Sequence, residues 1–155
     1  MNGTGKYKDI IKLSQERSRR YGVNQNQPGP SRILNGTELK TVLDENAALV
    51  QIAKPFMEIL FDVLKGSGFS IYLTDRDGIV LTIIGDEEIL EAQEKVGIIV
   101  GADMSEKSTG TNSMGAALAE DCSIQTSGED HYISAFYIWT CSAAVVHDLN
   151  GTIIG

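Results

Sequence analysis

The chain has 155 residues, 42% hydrophobic and 22% charged, with a formal net charge of −8. That length suffices for one domain with a real core, and no apolar run approaches the ~20 residues of a membrane-spanning helix. Residues 1–40 hold eight Lys/Arg against three Asp/Glu (+5), and residues 41–155 hold five against eighteen (−13); an acidic body repels phosphate backbones, which argues against nucleic-acid binding there.

The start, MNGTGKYKDI, lacks the apolar core of a signal peptide, so a cytoplasmic location is expected. Tyr7–Tyr21 reads as a polar helix with a thin stripe of Ile10, Ile11 and Leu13, and with Arg17, Arg19 and Arg20 on a solvated face. Asn24–Pro30 is a linker by composition, which divides the chain into a helical leader (1–36) and a main domain (37–155). One helix is expected from Thr37 to Leu64, with Leu49, Ile52, Ala53, Phe56, Leu60, Val63 and Leu64 on its apolar face and a break at Pro55. Gly66-Ser67-Gly68 ends it.

Strand texture follows. Phe69–Thr74 and Ile79–Ile84 flank Asp75-Arg76-Asp77-Gly78, a hairpin turn whose aspartates are expected to be solvated. The turn lacks the remaining ligands of a calcium loop. Asp86–Val96 is a short helix with an acidic first turn, and Gly97–Ala102 a short apolar run. Cys122–Thr126 and Ile133–Val146 read as strands, with a turn at Ser127–Asp130 and another at His147–Gly151. Thr152–Gly155 begins a strand that stops at its fourth residue, so the chain is expected to be cut from a longer one. Asn-Gly-Thr at Asn2, Asn35 and Asn150 suits turns rather than glycosylation.

The most informative stretch is Asp103–Leu118, DMSEKSTGTNSMGAAL. Thr109, Thr111 and Asn112 can each cap a helix start, and Gly110 removes a Cβ at the turn. A free helix N-terminus presents N–H groups that could cradle a ligand. The second such stretch is Trp139-Thr140-Cys141-Ser142-Ala143-Ala144, where alternation sends Trp139 and Cys141 to one face.

The order of elements argues α+β. Gly66-Ser67-Gly68, Leu73-Thr74-Asp75, Asp77-Gly78, Gly85-Asp86, Gly101-Ala102, Ser105-Glu106, Gly110-Thr111-Asn112, Gly115, Ala117-Leu118, Trp139–Ala144 and Gly151, taken in order, carry a family likeness. Together they resemble the N-terminal GAF sensor domain of sigma-54-dependent bacterial transcription activators, the group that regulates acetoin and glycerol catabolism. Met104 stands where that family usually has tryptophan. The resemblance implies a central antiparallel sheet flanked by helices and preceded by an N-terminal helical segment. It also implies a homodimer, and a downstream AAA+ ATPase and helix-turn-helix outside this chain, which carries no Walker A pattern.

A ligand pocket between one sheet face and the loops above it would draw on Tyr72, Thr111, Asn112, His131, Trp139 and Cys141. The occupant would be a small metabolite or, alternatively, the domain would be a protein–protein or dimerisation module that takes its signal from a regulatory protein. No cofactor or metal is expected, because His131 and His147 lack paired ligand spacing. An enzyme is not expected either: Cys141 has only Cys122 as a redox partner, and no nucleophile stands beside a base.

Overall fold

The computed structural model describes residues 3–155, with side chains from Tyr7 onward; the Asn2 turn lies outside the described residues. Helix α1 (Gly3–Arg20) docks through Ile10 and Ile11 of the expected stripe, which pack with Tyr7 on Ala116, Ala117 and Ile124, and through polar residues beside them. Ile11 is buried, but Leu13 is exposed, and the positions three and seven after Ile11 are the fully buried Ser14 and Ser18. That i, i+3, i+7 face meets polar partners on later elements, so hydroxyls fit there better than leucine would. Arg17 is not solvated as expected, because two glutamates face it across the junction.

The chain from Gly36 to Leu64 forms two helices, α2 (Gly36–Glu45) and α3 (Ala47–Leu64). The break falls at Asn46, whose Nδ2 donates to the Val42 carbonyl, and not at Pro55. Pro55 and Gln51, the residue four back, are both exposed, so water can serve the carbonyl that proline leaves unpaired. The apolar positions of α3 divide between two faces. Leu49, Val50, Ala53 and Met57 pack on the first hairpin, whereas Ile52, Phe56, Ile59, Leu60 and Val63 are all exposed.

That hairpin pairs β1 (Ser70–Thr74) with β2 (Val80–Gly85), Ile71 opposite Ile84. Asp75 at its turn is buried, contrary to expectation. Its carboxylate accepts from the amides of Asp77 and Ile79, and burial pushes its pKa up. Helix α4 (Glu87–Glu94) follows. Asp86 does not cap it; its carboxylate accepts instead from the amides of Gly66, Gly68 and Phe69, which ties the loop after α3 to the end of β2.

Two short helices, α5 (Glu106–Thr109) and α6 (Ser113–Glu120), precede the second hairpin, β3 (Ile124–Ser127) with β4 (Thr140–Ala143). The fold is α+β, but among the described residues the strands form two separate antiparallel pairs rather than one central sheet. Residues 133–139 are not extended. A 3-10 turn at Ser134–Phe136 drives Phe136 into the core, and the Trp139 amide donates to the Phe136 carbonyl, a local bond that an extended strand cannot make. Val80, Met104, Tyr132, Ile133 and Phe136 form the main core, which lies between the hairpins. Among the described residues no helix is long and apolar enough to cross a membrane.

Candidate functional site

The Thr109–Met114 turn is built around one side chain. Asn112 caps α6 by accepting from the Gly115 amide at 3.0 Å. Its Nδ2 reaches the Met104 carbonyl, Thr109 Oγ1 and the Gly110 carbonyl at 2.8–2.9 Å. The helix start is therefore already capped and buried, which removes the open cradle that the sequence suggested. What the turn offers instead is a wall. Asn112, Ser113 and Met114 form one side of an apolar cavity of about 30 Å³, room for about two waters.

Tyr72 from β1, His131, Trp139 and Cys141 line the same cavity, with Gln93, Ile98, Met104 and Phe136 completing it. Five of the six residues singled out in the sequence thus surround one space. Thr111 does not line it. Its hydroxyl is fully buried one residue behind the wall and is shared with Ser14 at 2.9 Å and Ser18 at 3.2 Å on α1.

The polar groups around the cavity are neutral. His131 is buried with both ring nitrogens in use: Nδ1 lies 3.1 Å from the Gly128 carbonyl, which can only accept, so Nδ1 carries the proton. Nε2 then accepts from the Thr126 hydroxyl at 2.9 Å. Burial pulls its pKa down, which favours this uncharged form. Desolvation pushes the Cys141 thiol up to about 11 and the Tyr72 phenol up to about 12. A thiol held that high is a small hydrophobe at neutral pH and a poor nucleophile. Among the described residues no cluster of three or more His, Cys, Asp or Glu could hold a metal. A wider cleft of about 500 Å³ opens between Arg32 and Lys107. Its buried acids are already satisfied, Asp75 and Asp103 by backbone amides and Glu106 by Arg17.

Sequence reasoning missed the other lining residues, among them Gln93. Gln93 stands one turn after Ile89 on the inward side of α4, and a glutamine at that position of an apolar stripe was the available signal. Phe136 and Met114 carried no signal, since their direction depends on the 3-10 turn and on the Asn112 cap.

The family profile described as "MimR, N-terminal domain" matches residues 14–154. A signal-transduction and transcriptional-control protein of Clostridium beijerinckii is 56% identical over 149 residues, 96% of this chain and 24% of that protein. The acetoin dehydrogenase operon transcriptional activator AcoR of Bacillus subtilis (strain 168) is 30% identical over 94% of this chain and 24% of its own length. The chain thus spans about a quarter of the length of these curated relatives. In the crystal structure of the E. coli DhaR(N)–DhaL complex, one chain superimposes with a TM-score of 0.88 at 17% identity, over 94% of this chain and 50% of that one. That likeness establishes the fold. The chain belongs to the MimR N-terminal domain family, whose relatives are transcriptional activators and regulators of operons.

Proposed function

We propose that the chain is the GAF-type signal-receiving domain of a cytoplasmic, sigma-54-dependent transcriptional activator, and that its signal is a small molecule held in the cavity beneath Asn112. The observation that carries this reading is the position of Thr111. Asn112 forms the cavity wall, and the adjoining residue is bonded to α1 through Ser14 and Ser18. An occupant that favours one placement of the Asn112 wall therefore favours one docking of α1. Differential affinity for the two states is all that such a switch requires. In this reading residues 37–155 hold the cavity, and the leader (1–36) carries the change towards ATPase and DNA-binding parts outside this chain. Relatives named for acetoin, glycerol and propane operons fit a small carbon metabolite as the signal.

The test is a thermal-shift screen of neutral small metabolites against the wild-type chain and Met114→Phe, which fills the cavity from its half-buried side. A ligand at 100 times its dissociation constant stabilises by about 2.7 kcal/mol. The reading predicts hits that Met114→Phe abolishes, and hits indifferent to Met114→Phe would refute it.

A second reading is favoured by α3. Ile52, Phe56, Ile59, Leu60 and Val63 lie at helical spacing on one exposed face, a contiguous apolar stripe of the kind that marks a protein contact. Its occupant would be a second copy, giving a homodimer, or a regulatory protein, as DhaL accompanies DhaR(N) in the neighbouring structure. Sedimentation equilibrium of wild type against Phe56→Glu and Val63→Glu tests this: a dimer that both changes dissolve supports the homodimer, and a wild-type monomer excludes it.

A further inference from the structure

We propose that the open edges of the two hairpins take one further strand, formed by the residues that follow Gly155 in the full-length protein. This strand joins them into a single antiparallel sheet. The Phe69 carbonyl accepts from the Asp86 amide, and the register continues with Ile71 opposite Ile84 and Leu73 opposite Thr82. Pairs two apart share one bonding pattern, so the Ile71 and Leu73 amides belong to β2, and the backbone groups of Ser70, Tyr72 and Thr74 point the other way. Among the described residues these outward groups have no backbone partner, although Thr74 is buried and Ser70 and Tyr72 are half-buried. Backbone donors and acceptors so shielded are nearly always paired. Among the described residues β4 is likewise paired on one side only, with β3.

A segment of the chain already leads between these edges. Residues 152–155 return antiparallel to residues 146–148, with His147 opposite Ile153. The Ile154 amide donates to the Val146 carbonyl at 2.8 Å, and the Val146 amide to the Gly155 carbonyl at 2.7 Å. Gly155 is buried at the end of β1, where a Cβ would lie 2.6 Å from the Thr74 carbonyl oxygen and 3.1 Å from Leu49 Cδ2. Such an approach of one backbone to another is open to glycine alone. A chain continuing in that direction passes β4 from Ala143 to Thr140 on one side. On the other it passes β1 from Thr74 to Ser70, and it is antiparallel to both. The chain spans about a quarter of the length of its curated relatives, so chain beyond the matched region is usual in this family. A second copy fits less well, because β1 paired edge to edge with its own copy would meet Gly155 at Thr74 and leave β4 open. Tyr72 and Cys141 stand on the two strands to be joined, and both line the cavity. Side chains opposite one another in a sheet share a face, so alternate residues of the added strand face the cavity as well. Its occupant would then touch chain that leads towards the downstream parts, a route besides α1. That consequence rests on the small-molecule reading, whereas the strand itself does not.

The experiment is hydrogen exchange resolved to single amides, on the full-length protein and on the 155-residue chain, with no ligand added. Ile71 and Leu73, bonded to β2, are the internal reference. In the 155-residue chain Tyr72 and Thr74 should exchange about tenfold or more faster than that pair, after correction for intrinsic rates. In the full-length protein the alternation should vanish. Alternation that persists in the full-length protein overturns the proposal. So does its absence from the 155-residue chain, and protection there that dilution removes would assign the edge to a second copy. If the 155-residue chain fails to fold, full-length Gly155→Ala takes its place. Its Cβ forces the arm off Thr74 and should speed exchange at Thr74 while Ile71 stays protected, and unchanged exchange at Thr74 overturns the proposal. None of these results bears on whether the cavity holds a small molecule, which the metabolite screen decides.

Discussion

Arg17 and Glu106, 89 positions apart, form a two-point fork, with Nε on Oε2 at 2.5 Å and the second guanidinium nitrogen on Oε1 at 2.8 Å. Glu106 is buried, and Ser14 donates to the same Oε1. The third arginine nitrogen reaches Glu120 on α6. This cluster joins the apolar contact of Ile10 and Ile11 with Ala116, Ala117 and Ile124 in holding α1 against the domain. Glu106→Ala strips the fork from a half-buried guanidinium, and the expected loss is about 2–4 kcal/mol, at or below the range for breaking a buried pair because Arg17 keeps Glu120 and some water. The double change Arg17→Met with Glu106→Leu removes both charges and should recover a large part of that loss. Urea denaturation of the three variants measures it, and a double change as unstable as Glu106→Ala alone would show that the cost lies in packing.

Gly115 sits inside α6, where alanine would ordinarily add about 1 kcal/mol of helix stability. Here a Cβ would lie 2.8 Å from the Met104 carbonyl oxygen and 2.9 Å from the Glu106 amide nitrogen. Both are backbone atoms of the segment that Asn112 fixes, and neither can rotate aside. Gly115→Ala is therefore expected to destabilise by about 1–3 kcal/mol, the range for overpacking. A raised melting temperature would contradict the close approach of α6 to the Met104–Glu106 segment.

Much of this arrangement was legible before any coordinates. Asp-Gly punctuation and strand alternation locate the first hairpin, and the helical period marks 37–64 as helical without its break at Asn46, because each is a local property of the chain. The grouping of Tyr72, Asn112, His131, Trp139 and Cys141 is an expectation from the family likeness and from two motifs, Asp103–Leu118 and Trp139–Ala144, meeting across one sheet. Three things were hidden because they depend on burial or on partners distant in sequence. Arg17 reads as part of a solvated face until Glu106 and Glu120 are placed beside it. Asp75 reads as a turn aspartate until its amides and its burial are seen. The apolar run 133–139 reads as a strand until Gln25 captures the Ser134 amide and a 3-10 turn forms.

Cys141 should be slow towards alkylation. Desolvation pushes its pKa from 9.0 up to about 11, so its thiolate fraction at pH 8 falls by about a hundredfold. In a Cys122→Ser background, iodoacetamide should label Cys141 far more slowly than a free cysteine and at the unmodified rate once urea unfolds the chain. Fast labelling of the folded protein would contradict the burial of this side of the cavity.

His131 supplies a pH dependence with a defined sign. Its folded-state pKa lies below the ordinary 6.5 because burial disfavours the charge. As pH falls below 6.5 the unfolded chain takes up the proton first, so its contribution is present above that value and is lost progressively towards the folded pKa. Urea midpoints should fall between about pH 7.5 and 5.5, and His131→Asn should flatten that slope while lowering overall stability. An unchanged slope in the variant would assign the dependence elsewhere.

The most direct test of the account is hydrogen exchange along α1 with the cavity empty and filled. Wild type and Met114→Phe are compared with and without a saturating hit from the metabolite screen, following the amides around Ser14 and Ser18. If cavity occupancy reaches α1 through Asn112 and Thr111, exchange there changes on filling in wild type by about threefold or more, a modest coupling on the usual scale, and does not change in Met114→Phe. A saturating thermal shift while α1 exchange stays unaltered would show that the space binds a molecule without reporting it, and would contradict the proposed relay.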